Sequence, residues 1–390
     1  MLKNRLSYIA FAVVIAILMF FFSSPFMLYV LAAQAVLTVA VKLLIVGDSK
    51  SVNTEFKIKH GACEGRYITA EFKVISEKNL FAANSVLAEI EIYNKMFNKT
   101  ENRKFLFYIS GKESSFKIDF EAEQCGEVNF ICKNIKIFDI FNIFGEKIKP
   151  FGQVCTIVYP RQMNLNVEMS DITFGTNKTD SFMLKRKGND PSEMFDIKEY
   201  FPGDDIRSIH WKLSCKTNNL VLRQASDPSD YNVVIMPDIG LKIEDKEVSE
   251  TELNTAAAIC FSLGEQLIKN GEKFCMAFVL PTGLCVNEII TEEDFQKSLA
   301  QWLSLPVPYK SGDGLKYFIM EHMEYCFTRL IILSAGKYNG EINSVAGRVS
   351  ISVINAVDDG DFIHSSLSTG CNITEIPSNQ NSDRIYNIIC

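Results

Sequence analysis

Four side chains of this chain could together carry out acid–base chemistry at neutral pH. Asp204 and Asp205 lie shortly before His210, and Asp238 follows further along the chain. A carboxylate beside an imidazole is a common pair for moving protons, and carboxylates also ligate hard cations. A hydrolase or a metal-dependent binding protein that uses these four side chains is therefore one functional alternative.

The residue types around this cluster also have structural explanations, and we favour these. Pro202 and Gly203 predict a turn. Asp204 follows directly and can cap a helix by accepting backbone N–H groups. His210 stands next to Trp211, so aromatic packing accounts for its presence. We therefore predict no catalytic residue in this stretch.

A short helix with one apolar face is predicted after the turn. Ile206, Ile209 and Leu213 recur at helical spacing, and residues 220–222 then have the character of a strand. Trp211 lies between the two faces of this helix and has a large area to bury. We expect its indole to be a buried anchor, whose truncation would lower the melting temperature sharply.

Tyr200, Arg207 and Trp211 form a combination that suits either a domain junction or a partner surface. A guanidinium stacks on aromatic rings and makes forked hydrogen bonds, and these residue types are enriched at the centres of protein interfaces. The candidate residues for an interaction or structural role are Tyr200, Pro202, Gly203, Asp204, Arg207, Trp211, Ser214 and Arg223.

The stretch from Glu199 to Arg223 resembles the signature of the bacterial family called domain of unknown function 58. The resemblance is carried by Tyr200, Pro202-Gly203-Asp204, Arg207, Ile209, Trp211, Ser214 and Leu220, with Gly188, Glu193-Met194-Phe195 and Glu199 before them. Cys215 departs from the family pattern, which usually has a small residue such as alanine there. The resemblance implies a membrane hairpin, a β-rich domain, the signature and a von Willebrand A-like domain. It also implies association with a MoxR-type AAA+ ATPase.

Von Willebrand A domains often bind a divalent metal through an aspartate–x–serine–x–serine loop after the first strand. The matching run here begins at Asp238, but Gly240 and Lys242 occupy the positions of the two serines. A hard cation such as magnesium requires oxygen ligands, and residues 333–336 supply no further aspartate. We therefore predict no metal site and interpret Asp238 as a loop or helix-cap residue.

Composition narrows the remaining function classes. The net charge of -7 argues against general nucleic-acid binding. Eleven cysteines without a Cys-x-x-Cys pair, and four separated histidines, predict free thiols in a reducing compartment rather than a zinc site. Gly312-x-Gly314 is isolated and forms no phosphate loop, and no nucleophile elbow is present. We expect no cofactor and no small-molecule substrate.

Two apolar runs at the beginning of the chain predict a membrane hairpin. Residues 6–22 and 26–46 are each long enough to cross a bilayer. Lys3 and Arg5 precede the first run and Lys42 lies near the end of the second, so the positive-inside rule places both termini and the soluble body in the cytoplasm. A cleaved signal peptide is the alternative for the first run.

The rest of the chain predicts one all-β and one α/β domain. Alternating apolar and polar residues predict strands at 66–74, 86–93, 104–109, 116–120 and 128–138, typical of a sandwich. Strands at 232–236, 273–280, 284–290, 329–334 and 349–357 alternate with helices at 251–269, 292–303 and 315–326, typical of a doubly wound sheet. The predicted segments are a transmembrane hairpin at 1–47, a β-sandwich-like domain at 51–162, a linker and lead-in at 163–198, the signature at 199–225 and a von Willebrand A-like domain at 226–390.

The function that these observations favour is a membrane-anchored, non-enzymatic interaction or scaffold protein. An adaptor role beside a MoxR-type AAA+ ATPase, in envelope-related assembly or maturation, is what the family resemblance implies. The alternatives are the hydrolase or metal-dependent binder described above, and a structural envelope factor whose β domain lies outside the cell.

Overall fold

A computed structural model describes residues 2–22, 25–58, 61–168, 187–199, 209–217, 220–226, 233–243, 246–308, 310, 312–345, 348–358, 362–367, 371–378 and 384–389. The chain divides into two compact units. The first comprises residues 1–159 and 303–306, and the second comprises residues 160–302 and 307–390.

The first unit begins with two long apolar helices, α1 (Leu2–Phe22) and α2 (Pro25–Ser51). Both are long and apolar enough to cross a membrane. Most of their large apolar side chains are exposed, as a span needs if lipid is to surround it. The Tyr8 hydroxyl joins the pair, because it donates a hydrogen bond to the Gln34 carbonyl oxygen at 3.1 Å.

The remainder of the first unit consists of strands, as the alternating pattern predicts. The strands are β1 (Val52–Ile58), β2 (Ala62–Cys63), β3 (Tyr67–Ser76), β4 (Ala83–Asn94), β5 (Lys99–Tyr108), β6 (Glu113–Glu121), β7 (Gly126–Asp139), β8 (Gly145–Ile148) and β9 (Gln153–Tyr159). One sheet has the order β1-β3-β6, and the other has the order β2-β9-β7-β4-β5 with β8 beside β7. Every strand predicted in this region is confirmed.

Aromatic side chains from both sheets meet in one core, which gives this unit the architecture of a sandwich. Phe56 of β1 lies 5.8 Å from Phe130 of β7 between ring centroids, and Phe120 of β6 lies 4.9 Å from the same ring. Phe72 of β3 stacks on Phe107 of β5 at 5.0 Å. Alternation puts these residues on the inner faces because successive strand side chains point to opposite sides.

The second unit mixes strands and helices. Its strands are β10 (Leu165–Glu168), β11 (Lys187–Glu199), β12 (Val221–Ser226), β13 (Val233–Pro237), β14 (Lys242–Ile243), β15 (Lys246–Glu247), β16 (Phe274–Leu280), β17 (Gly283–Ile289), β18 (Arg329–Ala335), β19 (Ser350–Val357), β20 (Ile363–Leu367), β21 (Cys371–Pro377) and β22 (Tyr386–Ile389). Its helices are α3 (Trp211–Thr217), α4 (Glu250–Lys269), α5 (Glu292–Leu303) and α6 (Asp313–Met320), with 3₁₀ turns at Met323–Tyr325 and Ile342–Ser344.

A seven-stranded sheet forms the centre of the second unit, in the order β17-β16-β13-β18-β19-β21-β20. Its five inner strands are parallel, and the two edge strands are antiparallel to their neighbours. The chain moves from β13 to β16 on one side and later to β18 on the other. Because parallel crossovers are right-handed, this reversal puts α4 and α6 on opposite faces of the sheet.

Two predictions in this unit need correction. The helix expected to continue to Cys326 ends at Met320, because His322 adopts a left-handed backbone conformation (φ 57°) and stops it. The stretch at 163–198, expected to be a linker, contains β10 and β11. β10 pairs with β22 from the far end of the chain, so its four residues gain their partner only through the tertiary fold.

Candidate functional site

Only part of the predicted signature lies among the residues that the structure describes. Tyr200, Pro202, Gly203, Asp204, Asp205, Ile206 and Arg207 lie outside the described residues. Trp211 and Ser214 belong to α3, and Arg223 belongs to β12. β12 pairs with β11, where Ile197 is opposite Arg223.

Ser214 joins α3 to the following strand. Its side chain is buried, and its hydroxyl oxygen accepts a hydrogen bond from the backbone N–H of Val221 at 3.0 Å. The backbone N–H of His210 donates to the Val221 carbonyl oxygen at 2.8 Å, so both backbone polar groups of Val221 are hydrogen-bonded to residues 210–214. Serine fits this position because its hydroxyl oxygen accepts a hydrogen bond from a backbone N–H and its side chain needs little volume. Ser214 therefore has a structural role.

Trp211 is not the buried anchor that the sequence predicts. The described helix begins at Trp211, after Ile209 and His210, so the helical spacing used for that prediction does not apply. Ile209 is buried, but the Trp211 side chain is 59% exposed. The prediction of a buried indole is therefore wrong, and it was the reason for expecting a sharp loss of stability on truncation of Trp211. The indole is an exposed aromatic surface.

Asp238 lies at the carboxyl end of β13, next to the point where the strand order of the central sheet reverses. Its backbone N–H donates to the Leu333 carbonyl oxygen at 2.9 Å, which continues the pairing of β13 with β18. Open parallel sheets commonly bind ligands in the crevice at such a point. This position makes Asp238 the first residue to test for a binding role.

The Asp238 carboxylate is hydrogen-bonded to groups of the protein itself. The side chain is buried. Its Oδ1 accepts from the backbone N–H groups of Gly312 at 3.0 Å and Gly314 at 3.3 Å. Its Oδ2 accepts from the N–H of Leu315 at 3.4 Å and from the Tyr338 hydroxyl at 2.9 Å. These N–H groups begin α6, and a helix N-terminus attracts an anion. The anion here is Asp238, which confirms its interpretation as a helix-cap residue.

The glycines of the Gly312-x-Gly314 pair, which form no phosphate loop, surround this carboxylate. Gly312 has a φ of 93°, a conformation that favours glycine. A Cβ at Gly314 would lie 3.1 Å from Cγ of Asp238. A glycine pair at the start of a helix was therefore the one sequence signal for this contact. Nothing local pointed to Tyr338.

Burial sets the electrostatics of this site. It raises the pKa of the Asp238 carboxyl above its ordinary value, and the hydrogen bonds from Tyr338 and the three N–H groups only partly oppose this. Burial and the neighbouring carboxylate also raise the pKa of the Tyr338 hydroxyl, which therefore stays protonated as a donor.

Of the other residues in the predicted acid–base or metal cluster, only His210 belongs to the described part of the chain; Asp204 and Asp205 lie outside it. The described hydrogen-bond partners of Asp238 do not include His210. The Lys242 ammonium lies 3.8 Å from the Glu247 carboxylate in the β14–β15 hairpin. Across the described ranges, no group of three or more His, Cys, Asp or Glu side chains is placed to hold a metal ion.

Comparison with solved structures finds distant likenesses to part of the chain. A cohesin module of a Clostridium perfringens family 33 glycoside hydrolase is 7% identical over 28% of this chain and 96% of its own, with a TM-score of 0.22. A CARDB domain from Pyrococcus furiosus, in complex with di-metal ions, is 12% identical over 27% of this chain and 86% of its own, with a TM-score of 0.20. Scores this low carry no conclusion about fold or function. No curated protein matches the chain.

A family model matches the region that contains the signature helix and Asp238, but not the partners of Asp238 at residues 312–338. The model described as Protein of unknown function DUF58 matches residues 196–285. The matched range runs from β11 through the signature helix α3, β12, β13 with Asp238, and α4 to the middle of β17. This match covers the same stretch whose residues resemble the family signature, and it supports the likeness of this region to the DUF58 family.

Proposed function

We propose that this chain is a membrane-anchored interaction protein without an enzyme site. The observation that carries the proposal is the state of Asp238. At the position where an open α/β sheet would bind a ligand, the only carboxylate of the predicted metal loop is occupied by three N–H groups and a hydroxyl of the protein. A carboxylate with four donors around it is poorly placed to bind a cation or to accept a substrate proton.

The second unit is, in this proposal, a von Willebrand A-like domain that has lost its metal. Supporting observations are the reversal of strand order at β13 and the location of Asp238 directly after that strand. Such a domain would then bind a partner through its own side chains rather than through a metal ion shared with the partner. Asp204 and Asp205, which the alternative acid–base cluster requires, lie outside the described residues.

Anchoring belongs to the first unit. The two apolar helices α1 and α2 supply the spans, and the cationic residues Arg5 and Lys42 lie toward the ends of the helices that are remote from their connection. By the positive-inside rule, both termini and both units then lie in the cytoplasm. An adaptor held at the inner face of the membrane fits this arrangement.

The partner surface includes the signature helix. Trp211 is 59% exposed, lies within the family-matched range and is the first residue of α3, which Ser214 joins to β12 by a hydrogen bond. A large exposed aromatic residue on a fixed element is the kind of side chain that supplies binding energy at interfaces. The family resemblance provides the candidate partner, a MoxR-type AAA+ ATPase.

The test is a binding measurement with full-length protein in lipid nanodiscs and a purified MoxR-type ATPase. We expect Trp211→Ala to weaken binding by about 30-fold, since an interface hot spot contributes about 2 kcal/mol. The melting temperature should stay within a few degrees because the indole is mostly exposed. Tyr67→Ala, which removes a 68% exposed aromatic residue from the first unit, is the matched control and should bind normally. If the Trp211 and Tyr67 variants bind the ATPase with equal affinity, the signature helix is not part of the interface.

A further inference from the structure

An exposed apolar loop in the first unit has no role in the proposed partner binding. The loop joins β7 to β8, and its tip carries Ile140 and Phe141, which are 58% and 50% exposed. The neighbouring turn before β4 exposes Phe81, which is 73% accessible. The backbone N–H of Ile140 donates to the carbonyl oxygen of Ala82 at 3.0 Å, so the two turns are directly joined.

The loop is held in one conformation by its own hydrogen bonds. The carboxylate of Asp139 is buried, and its Oδ1 accepts from the N–H groups of Ile143 at 2.7 Å and Phe144 at 2.9 Å. Asn142 adopts a left-handed conformation (φ 54°), and its side chain accepts from the Ser85 hydroxyl at 3.1 Å. A loop braced in this way keeps its apolar tip exposed rather than folding it inward.

The same loop contacts the polar ends of both membrane helices. The Asn4 side-chain amide donates to the Phe141 carbonyl oxygen at 3.0 Å, and the Arg5 guanidinium donates to the Ile143 carbonyl oxygen at 2.6 Å. The Lys42 ammonium forms an ion pair with Glu146, two residues beyond the loop. The loop therefore lies beside Arg5 of α1 and Lys42 of α2.

The depth of these contacts follows from helix geometry. At 1.5 Å per residue, the stretch from Arg5 to Phe22 spans about 26 Å, and so does the stretch from Pro25 to Lys42. The hydrocarbon core of a bilayer is about 30 Å thick. Arg5 and Lys42 therefore lie at one membrane surface, and the loop that binds them lies at the same level.

We propose that Ile140 and Phe141 insert into the lipid headgroup–acyl boundary beside the hairpin, with Phe81 at the edge of this contact. The proposal rests on the proposed membrane anchoring. Phe81 lies further from the bilayer centre, because its N–H and those of Ala82 and Ala83 all donate to Oδ2 of Asp48, beyond Lys42 on α2. The sandwich would then touch the membrane through this loop as well as through its helices.

Lipid is the occupant that the chemistry of this surface favours. Exposed aliphatic and aromatic side chains partition into the interfacial region. Lys147 and Lys149, both exposed in and just after β8, follow the loop closely in the chain and suit anionic headgroups. On α2, Leu43 directly follows Lys42, the partner of Glu146, and is 67% exposed, so an apolar side chain of the helix surface lies next to this ion pair in the chain. The helices place this surface next to the bilayer, so a protein partner would have to displace lipid in order to bind there.

The test is photo-cross-linking of full-length protein in native membranes. The photoreactive residue p-benzoylphenylalanine replaces Phe141 in one variant and Tyr67 in the control. Tyr67 is 68% exposed and begins β3. The other end of that strand, Ser76, pairs with Val52 directly after α2, so Tyr67 is far from the membrane. Adducts are identified by mass spectrometry, and carbonate extraction of the same membranes reports whether the hairpin is integrated.

We expect phospholipid adducts at position 141, their absence at position 67, and both variants to resist carbonate extraction. An integrated protein that yields no lipid adduct at position 141, or yields a protein adduct instead, would overturn the insertion of the loop while leaving the anchor intact. Release of the protein by carbonate would overturn both the anchor and this inference.

Discussion

At the scale of single residues, Asp238 lies beside the reversal of strand order and is hydrogen-bonded into the scaffold. Its carboxylate joins the end of β13 to the N-terminus of α6 and to Tyr338, which follows β18. Each donor would otherwise be a buried polar group without a partner, at a cost of about 1–3 kcal/mol. The same burial raises the pKa of the carboxyl, which makes this contact sensitive to pH.

We predict that Asp238 makes the second unit less stable as the pH rises. Because its pKa is higher in the folded than in the unfolded protein, the folded state binds the proton more tightly. The stability that protonation contributes is full below the unfolded-state pKa of about 3.9 and is lost as the pH rises through the folded-state pKa. Asp238→Asn should remove this dependence. Urea unfolding in detergent, followed by the fluorescence of buried Trp302, measures the difference between wild type and variant at each pH.

Tyr338→Phe provides the matched control. The Tyr338 hydrogen bond lowers the pKa of Asp238, so its removal should keep the pH dependence and shift it to higher pH. It should also lower the free energy of unfolding by about 1.5–3 kcal/mol, the usual contribution of a hydrogen bond to a charged group. Identical pH profiles for the wild type and Asp238→Asn would show that Asp238 does not titrate in this range.

At the scale of secondary-structure elements, a close approach between α4 and α5 depends on one glycine. A Cβ built on Gly264 would lie 2.2 Å from Cζ of Phe295, which is fully buried and packs edge-to-face with Phe274 of β16 at 6.0 Å. Gly264 therefore serves the packing of α4 against α5. Glycine costs a helix up to about 1 kcal/mol relative to alanine, and the contact with Phe295 outweighs this.

We predict that Gly264→Ala destabilises the protein despite the better helix propensity of alanine. Overpacking a core costs about 1–3 kcal/mol, and both the glycine and the ring are fully enclosed. Phe295→Leu shortens the side chain at the point of contact, so the double variant should lose less than the sum of the two single variants. Urea midpoints of the four proteins measure this coupling. A stabilised Gly264→Ala variant would mean that α5 moves away freely.

At the scale of the whole molecule, the arrangement of the cysteines gives a test of sidedness. The nine cysteines whose side chains the structure describes are all free thiols, and Cys63 and Cys155 of the first unit are exposed. Cys285 of the second unit is partly buried, and burial raises the pKa of its thiol. Thiolates react with maleimides, so Cys285 should react more slowly than the two exposed cysteines.

We predict that a membrane-impermeant maleimide labels none of these three cysteines in intact cells. After permeabilisation, Cys63 and Cys155 should label quickly and Cys285 slowly, as mapped by mass spectrometry. The double variant Cys63→Ser/Cys155→Ser removes the fast signal and serves as the control. Labelling of Cys63 or Cys155 in intact cells would place the β domain outside and favour the envelope factor instead.

Local patterns in the sequence were enough for most of the framework. Apolar runs predict α1 and α2 because a span needs about twenty apolar residues. Alternation predicts the sandwich strands β3 to β7, and a change to helical spacing predicts α4 and α5. The family signature was also visible, since its residues are close together in the chain.

The tertiary structure alone decided what the single residues do. Trp211 is exposed, which helical spacing from Ile206 and Ile209 did not predict because the described helix begins only at Trp211. Asp238 is a helix cap because a strand end, a later helix and Tyr338 meet at the reversal of strand order. β10 is a strand because β22 lies beside it. Each of these outcomes depends on contacts between residues far apart in the chain, and no local pattern encodes those distances.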